Sequence, residues 1–290
     1  MDISSLIISV TSMGSLGAIF ATGLALANKK LHVEEDPRIQ AVLEWLPGAN
    51  CGGCGYPGCA NFAENLVAGQ VELSTCPVCD DDSRTEIAAI LGVDATTGER
   101  LIARVMCQGG NREAVLKADY RGIENCAASL LLGGGDKLCE YGCLGFGDCI
   151  EACPFDAMYM GENGLPVVIE ANCTGCGKCV EACVRDVIEM HPVSHKIFVL
   201  CKNQDDPKTA RKLCTRACIG CQICVRAAGE DNMFMDGDLA VVNYDRYGIE
   251  PVLPTDKCPT KCLVILDAER ETTESDGVNS QVTSPEVATA

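Results

Sequence analysis

The stretch Cys139-Glu-Tyr-Gly-Cys143-Leu-Gly-Phe146-Gly-Asp-Cys149-Ile-Glu-Ala-Cys153-Pro154, followed further on by Cys173-Thr-Gly-Cys176-Gly-Lys-Cys179-Val-Glu-Ala-Cys183, decides how this chain is read. Its second half is C-x2-C-x2-C-x3-C, a run that gives three thiolates to one [4Fe-4S] cluster and sends the fourth to a neighbouring cluster. That crossing of ligands forces two clusters into one small fold. The first half departs from the run, because Phe146 stands where the middle cysteine belongs, and Cys139, one turn upstream, is the natural replacement. The spacing therefore predicts Cys139, Cys143, Cys149 and Cys183 around one cluster and Cys153, Cys173, Cys176 and Cys179 around the other. Zinc also takes four cysteines at C-x2-C spacing. Three close-set cysteines with a fourth before proline suit an iron cubane better.

The bulk numbers agree. With 22 Cys in 290 residues, the choice is between a disulfide framework and metal sites. Secreted frameworks are usually short chains, whereas grouped C-x2-C runs in a reducing compartment read as metal ligands. The length suggests two or three small domains. Aromatic residues make up only 4 %, so clusters substitute for packed core and the iron-free chain is expected to fold poorly. A net charge of −18 argues against nucleic acid, whose phosphates need Lys and Arg.

Ile3 to Ala27 contains no charged residue, long enough to cross a bilayer as a helix, with Lys29 and Lys30 just beyond and Asp2 before it. The positive-inside rule then puts the bulk of the chain on the cytoplasmic side of a single-pass anchor. Gly14 and Ala18, Gly17 and Ala21, and Ala21 and Ala25 are small pairs at the spacing that lets helices approach closely, which suggests packing on other membrane subunits. An acidic juncture (Glu34, Glu35, Asp36, Pro37) leads into a short helix over 38–46 stopped by Pro47. Next comes Cys51-Gly-Gly-Cys54-Gly-Tyr-Pro-Gly-Cys59, then Cys76-Pro77, and Cys51, Cys54, Cys59 and Cys76 read as ligands of a [4Fe-4S] cluster with Cys79 a bystander. Residues 60–67 have a helix's apolar period, and Asp80, Asp81 and Asp82 read as a solvated helix start ahead of a short helix and linker over 83–98.

Self-similarity exposes a repeat. Shifted by 75 residues, Cys126 falls on Cys201, Cys139 on Cys214, Cys143 on Cys218, Cys149 on Cys224 and Cys183 on Cys258, while Cys153, Cys173, Cys176 and Cys179 fall on Ala228, Gly248, Pro251 and Pro254. One whole ligand set is missing from the second copy, which predicts a single cluster there on Cys218, Cys221, Cys224 and Cys258. A strand pair over 158–160 and 167–169 is expected between the cysteine runs. Cys262 reads as a buried thiol. Cys107, Cys126, Cys201 and Cys214 are left over and leave room for a further site, so four [4Fe-4S] clusters are expected, with a fifth as an open question. The fold class is α+β. Residues 1–30 form a transmembrane anchor, 31–95 a small α-rich 4Fe-4S domain, 96–200 and 201–267 tandem ferredoxin-like modules with two clusters and one, and 268–290 a disordered tail.

No catalytic dyad or triad stands out; His32, His191 and His195 lack a nucleophile pattern and read as surface residues. No G-x-G-x-x-G fingerprint follows a strand, which argues against a nicotinamide site in this chain. Clusters without a substrate site describe a wire. Lys202, Lys208, Arg211, Lys212, Arg216 and Arg226 gather beside the last cluster and could steer an acidic donor such as a soluble ferredoxin, unless Asp205 and Asp206 balance that face.

The membrane helix, then Cys51-x2-Cys54-Gly-Tyr-Pro-Gly-Cys59-x16-Cys76-Pro77, then Tyr141-Gly142-Cys143-Leu144-Gly145 and Cys258-Pro-Thr-Lys-Cys262, resemble the B subunit of the Rnf-type electron-transport complex over nearly the whole chain. The resemblance implies a bacterial or archaeal inner-membrane complex that moves electrons between reduced ferredoxin and NAD+ and exports Na+ or H+. It implies that this subunit takes electrons from ferredoxin and passes them inward, with flavins and the NAD site on other subunits and no complete active site here. The competing reading is a membrane-tethered, polyferredoxin-like carrier that supplies a reductase or redox sensor without ion pumping.

Overall fold

The computed structural model describes residues 3–31, 36–94, 98–246 and 255–266. His32, Glu34, Glu35, the residues 95–97 near the first domain boundary and the tail 268–290 lie outside the described residues. Helix α1 (Ile3–Leu31) matches the expected anchor, and over Val10–Lys30 its mean hydropathy of 1.5 suffices for a bilayer crossing while none of it is buried against the rest of the protein.

Residues 36–94 form a small helical unit. Helix α2 (Pro37–Trp45) starts on proline with Asp36 accepting from the Arg38 amide at 2.9 Å, a good N-cap geometry, and stops before Pro47. Helix α3 (Cys59–Val67) and helix α4 (Asp81–Leu91) follow, α4 capped by Asp80 accepting from the Ser83 amide at 2.7 Å and ended by Gly92 in the left-handed conformation. The expected helices are thus present, with α4 shorter than the 83–98 segment because Gly92 terminates it. Their apolar faces meet in one core of Val42, Leu46, Phe62, Ala63, Leu66, Leu73, Ile87 and Ala88.

The remainder is built twice on one plan. In the first lobe, strand β1 (Leu101–Val105) is followed by helices α5 (Cys126–Leu131) and α6 (Asp148–Glu151), the hairpin β2 (Met158–Met160) and β3 (Pro166–Val168), helix α7 (Lys178–Glu181) and strand β4 (Ile188–Pro192). The outer strands β1 and β4 pair antiparallel around the inner hairpin. The second lobe repeats this with β5 (Ile197–Val199), helices α8 (Pro207–Leu213) and α9 (Ile223–Ala228), the hairpin β6 (Met233–Asp236) and β7 (Leu239–Val242), and β8 (Leu263–Ile265) paired to β5. Each lobe has its own apolar core, and cysteines are members of both cores.

Met106, Phe198 and Leu200 form a further buried group where β1 runs close to β5. His191 and His195, expected on the surface, belong to this seam instead. His191 is buried at 4.8 Å from the Tyr244 ring, and His195 stacks on Tyr244 at 4.5 Å. Their alternation along a strand and its turn carries no sequence mark that separates an aromatic seam from a solvated face. Beside them Arg104, only 2 % exposed, holds Glu170 at 2.5 Å and lies 5.4 Å above the Phe198 ring.

Removing one partner of a buried ion pair leaves the other charge uncompensated, so Glu170→Ala is expected to lower stability by about 3 kcal/mol. The companion Arg104→Met/Glu170→Leu variant, which removes both charges, should recover most of that loss. Anaerobic denaturant unfolding of the iron-loaded protein measures both, and a single variant as stable as the wild type would show that the pair carries no weight.

Candidate metal centres

Cysteine thiols gather at five places. In the helical unit the tight Gly-rich turn brings Cys51 and Cys54 toward Cys76, whose thiol is raised first by burial and further by those two neighbours. Cys59 opens α3, its amide held by the Asn50 side chain at 2.9 Å. Cys79 is packed in the helical core beside Cys76 and Arg84, and burial pushes its thiol up to about 11.

In the first lobe one cavity is lined by Cys153, Cys173, Cys176 and Cys179, the set expected from spacing. A second is lined by Cys143, Cys149 and Cys183 together with Cys126, where the sequence reading placed Cys139. The reason is local. The Asp148 carboxylate, at the start of α6, accepts from the amides of Cys126 and Ala127 at 2.8 and 3.2 Å and pins the start of α5 beside Cys149. Phe146 does not fill the gap in the cysteine run but packs on Tyr120 at 5.2 Å, and a thiol from 20 residues upstream takes that place.

Cys139 faces the other way. With Cys107, Cys201 and Cys214 it lines a cavity between the lobes, a set that differs from the left-over Cys107, Cys126, Cys201 and Cys214 by Cys139 in place of Cys126. Each lobe contributes two of the four. The Cys107 sulfur accepts from the amides of Gly109 and Cys143 at 3.3 and 3.4 Å, and the Cys201 sulfur accepts from Asn203 and Cys218 at 3.5 and 3.3 Å. The structural counterpart of Cys201 is therefore Cys107, which the 75-residue shift missed. Cys107 precedes Cys139 by 32 positions and Cys201 precedes Cys214 by 13, so the first lobe holds 19 extra residues that break the register. A signal was present in Val105-Met106-Cys107 and Val199-Leu200-Cys201, each a strand end followed by an apolar residue and a cysteine.

In the second lobe a cavity is lined by Cys218, Cys221, Cys224 and Cys258, the expected set, and also by Cys262. Burial pushes the thiols of Cys143, Cys149, Cys179 and Cys201 up to about 12, so a metal must displace their protons to bind thiolate.

These cages fit iron–sulfur clusters on their own chemistry. Four or more thiols line each of the four cavities, a donor set that suits a thiolate-ligated iron–sulfur cluster. Amides aimed at sulfur stabilise an anionic cluster. At the cavity between the lobes, a Cβ on Gly109 would lie 3.3 Å from the Cys214 sulfur and one on Gly142 3.5 Å from the Cys139 sulfur, so both glycines let backbone close tightly on the cage. Lys137 lines the same cavity, is 2 % exposed, and donates to the carbonyls of Gly109 and Cys143, both at 2.9 Å. It makes no ion pair with a carboxylate among the described residues, and a buried ammonium of that kind calls for a negative occupant beside it.

Thiol cages strung through a helical unit and two small α+β lobes define an iron–sulfur protein of the ferredoxin class. Family descriptions agree, with "Putative Fe-S cluster" matching residues 46–78 and "4Fe-4S dicluster domain" matching residues 139–188. The chain is 42 % identical over 263 residues to the B subunit of the Na(+)-translocating ferredoxin:NAD(+) oxidoreductase complex of Acetobacterium woodii, a match that covers 90 % of this chain and 78 % of that protein. It is also 42 % identical over 221 residues to the B subunit of the ion-translocating oxidoreductase complex of Methanosarcina acetivorans, covering 76 % of this chain and 84 % of that one. The B subunit of the proton-translocating ferredoxin:NAD(+) oxidoreductase complex of Clostridium ljungdahlii is 39 % identical over 241 residues, 83 % of this chain and 85 % of that protein. The chain belongs to the family of Rnf-type B subunits, and so is a component of a membrane oxidoreductase complex.

Ligands of one cluster should fail as a unit. Cys126→Ala/Cys143→Ala is expected to lose about four irons per chain, as is Cys107→Ala/Cys139→Ala, where ligands of two separate clusters would cost about eight. Anaerobic iron quantitation reads the difference, and a loss of about eight from either double variant would restore the grouping expected from spacing. If Lys137 faces cluster charge, Lys137→Met at unchanged iron content should move the reduction of the flanking clusters to more negative potential in an EPR-monitored titration, while Lys137→Arg stays near wild type.

Proposed function

We propose that the chain is an electron wire of five [4Fe-4S] clusters, arranged as a membrane-proximal helical domain and two tandem ferredoxin-like modules. It links soluble ferredoxin to the membrane subunits of an Rnf-type complex that couples ferredoxin and NAD+ to the movement of Na+ or H+. The relatives whose names state those substrates support the reading. When bound, the clusters supply one-electron redox chemistry; the chain's residues hold them, shield them and aim amides at their sulfurs.

The observation that carries the proposal is the unbroken contact from cage to cage. A Cβ on Gly53 would lie 2.7 Å from the Cys176 carbonyl oxygen, so the helical unit's cysteine loop rests directly on the next cage. Cys149 and Cys153 flank most of α6, and Cys179 and Cys183 most of α7, so each short helix spans two cages. The amide of Cys143 then reaches the Cys107 sulfur, and that of Cys218 reaches the Cys201 sulfur. The order is therefore helical unit, Cys153 cage, Cys143 cage, inter-lobe cage, Cys218 cage. Helix α1 anchors the first end in the membrane with the lobes on the cytoplasmic side, its small-residue pairs packing on neighbouring membrane helices.

Ferredoxin docks on the second lobe, over α8, which leads into Cys214 of the inter-lobe cage, and α9, beside the Cys218 cage. Lys208, Arg211 and Lys212 are exposed on α8 and Arg226 is exposed on α9, while Lys202 is taken up by Glu189 and Asp206 serves as the cap of α8. Arg211→Glu/Lys212→Glu is expected to slow ferredoxin-driven NAD+ reduction by the purified complex and flatten its salt dependence, since long-range steering is screened by salt. An unchanged rate and salt profile would reject docking there.

Continuity is tested by cutting the wire in the middle. In Cys201→Ala, the purified complex should lose most of its ferredoxin-driven NAD+ reduction while dithionite still reduces the cluster of the helical unit. Wild-type turnover without the inter-lobe cluster would show that electrons bypass it.

A further inference from the structure

One turn recurs three times, each time directly after a cysteine that lines a cage. Cys153, Cys183 and Cys258 are each followed three residues on by a residue in the left-handed conformation, Asp156 at φ 48°, Asp186 at φ 50° and Lys261 at φ 55°. A strand begins two residues later, at Met158, Ile188 and Leu263. The intervening residue turns its side chain inward in all three copies and is buried as Ala157, Val187 and Cys262. The turn also brings that residue close to the ligand sulfur, since the Ala157 amide donates to the Cys153 sulfur at 3.4 Å. Two copies carry an apolar side chain there; the third carries a thiol. Its sulfur lies 3.6 Å from that of Cys258, and it lines the same cavity as Cys218, Cys221, Cys224 and Cys258.

A buried packing position has no need of sulfur, as Ala157 and Val187 show. We propose that Cys262 is a reserve ligand of the terminal cluster, able to take the iron held by Cys258. This rests on the reading that Cys218, Cys221, Cys224 and Cys258 hold a cluster. In the exchange the bond from iron to the Cys258 sulfur breaks, a bond to the Cys262 sulfur forms, and the Cys262 thiol proton passes to the released Cys258 thiolate. No electron is gained or lost, and no further reagent is needed. The place in the wire suits such a device. It is the end cage, where Cys221 and Cys224 are half-buried, Gln222 beside them is exposed, and Cys218 and Cys258 are buried.

The test uses the full chain, with iron quantitation and EPR of the dithionite-reduced protein. Cys258→Ala should keep the wild-type iron content with an altered signal from the terminal cluster, while Cys258→Ala/Cys262→Val should lose about four irons. Valine is chosen because Val187 occupies the same place in another copy of the turn. Cys262→Val alone should keep all its iron. Loss of about four irons or more from Cys258→Ala alone would overturn the reserve role. Cys221→Ala separates the two claims, for if it loses no iron the cluster itself is misassigned, and if it loses about four while Cys258→Ala does the same, only the reserve ligand fails.

Discussion

Two cysteines from each lobe close on one cavity, and the continuity of the thiol chain depends on that shared cage. Cys107 and Cys139 come from one lobe, Cys201 and Cys214 from the other. On both flanks the same interaction ties the shared cage to its neighbour, as the amide of a cysteine lining the next cage is donated to a sulfur of this one. The match across the seam is what two copies of one unit produce when each presents its equivalent edge to the other. On the five-cluster reading, a metal group held from both sides would also fasten the lobes, which meet at the apolar group of Met106, Phe198 and Leu200. On that reading cluster binding and lobe docking are one event, which fits a chain with few aromatic residues from which to build core.

Short helices supply the same economy within the first lobe. α6 and α7 are four residues each, too short to contribute stability by themselves. Their use is geometric, because each carries one cysteine and is followed, four residues on, by another that lines a different cage. Buried charge follows the same logic: Lys137 sits beside the shared cage with carbonyl partners, where an anionic cluster is the compensation at hand.

Much of this was legible in the residues, and what was missed has physical causes. Runs such as Cys173-x2-Cys176-x2-Cys179 speak for themselves because local spacing dictates the cage. The helical unit was legible through Asp36-Pro37, Pro47 and Asp80, whose capping and breaking effects act over a few residues. The exchange of Cys126 and Cys139 was not, since it turns on Asp148 accepting from the first amides of α5 across 22 residues and on a 19-residue expansion that moves Cys107 out of the repeat register. Long-range pairing of that kind leaves no periodic trace. The burial of His191 and the stacking of His195 were hidden for a similar reason, as their partners Phe198 and Tyr244 come from the other lobe.

The central claim is that the chain holds one connected series of five redox centres. Coulometric reduction of the anaerobic full-length protein, followed by EPR, tests it most directly. The account predicts uptake of about five electrons per chain, with signals broadened by magnetic coupling between neighbouring clusters across the inter-lobe cage. Uptake of about four electrons, with the second lobe's cluster giving a sharp signal uncoupled from the first lobe, would contradict it.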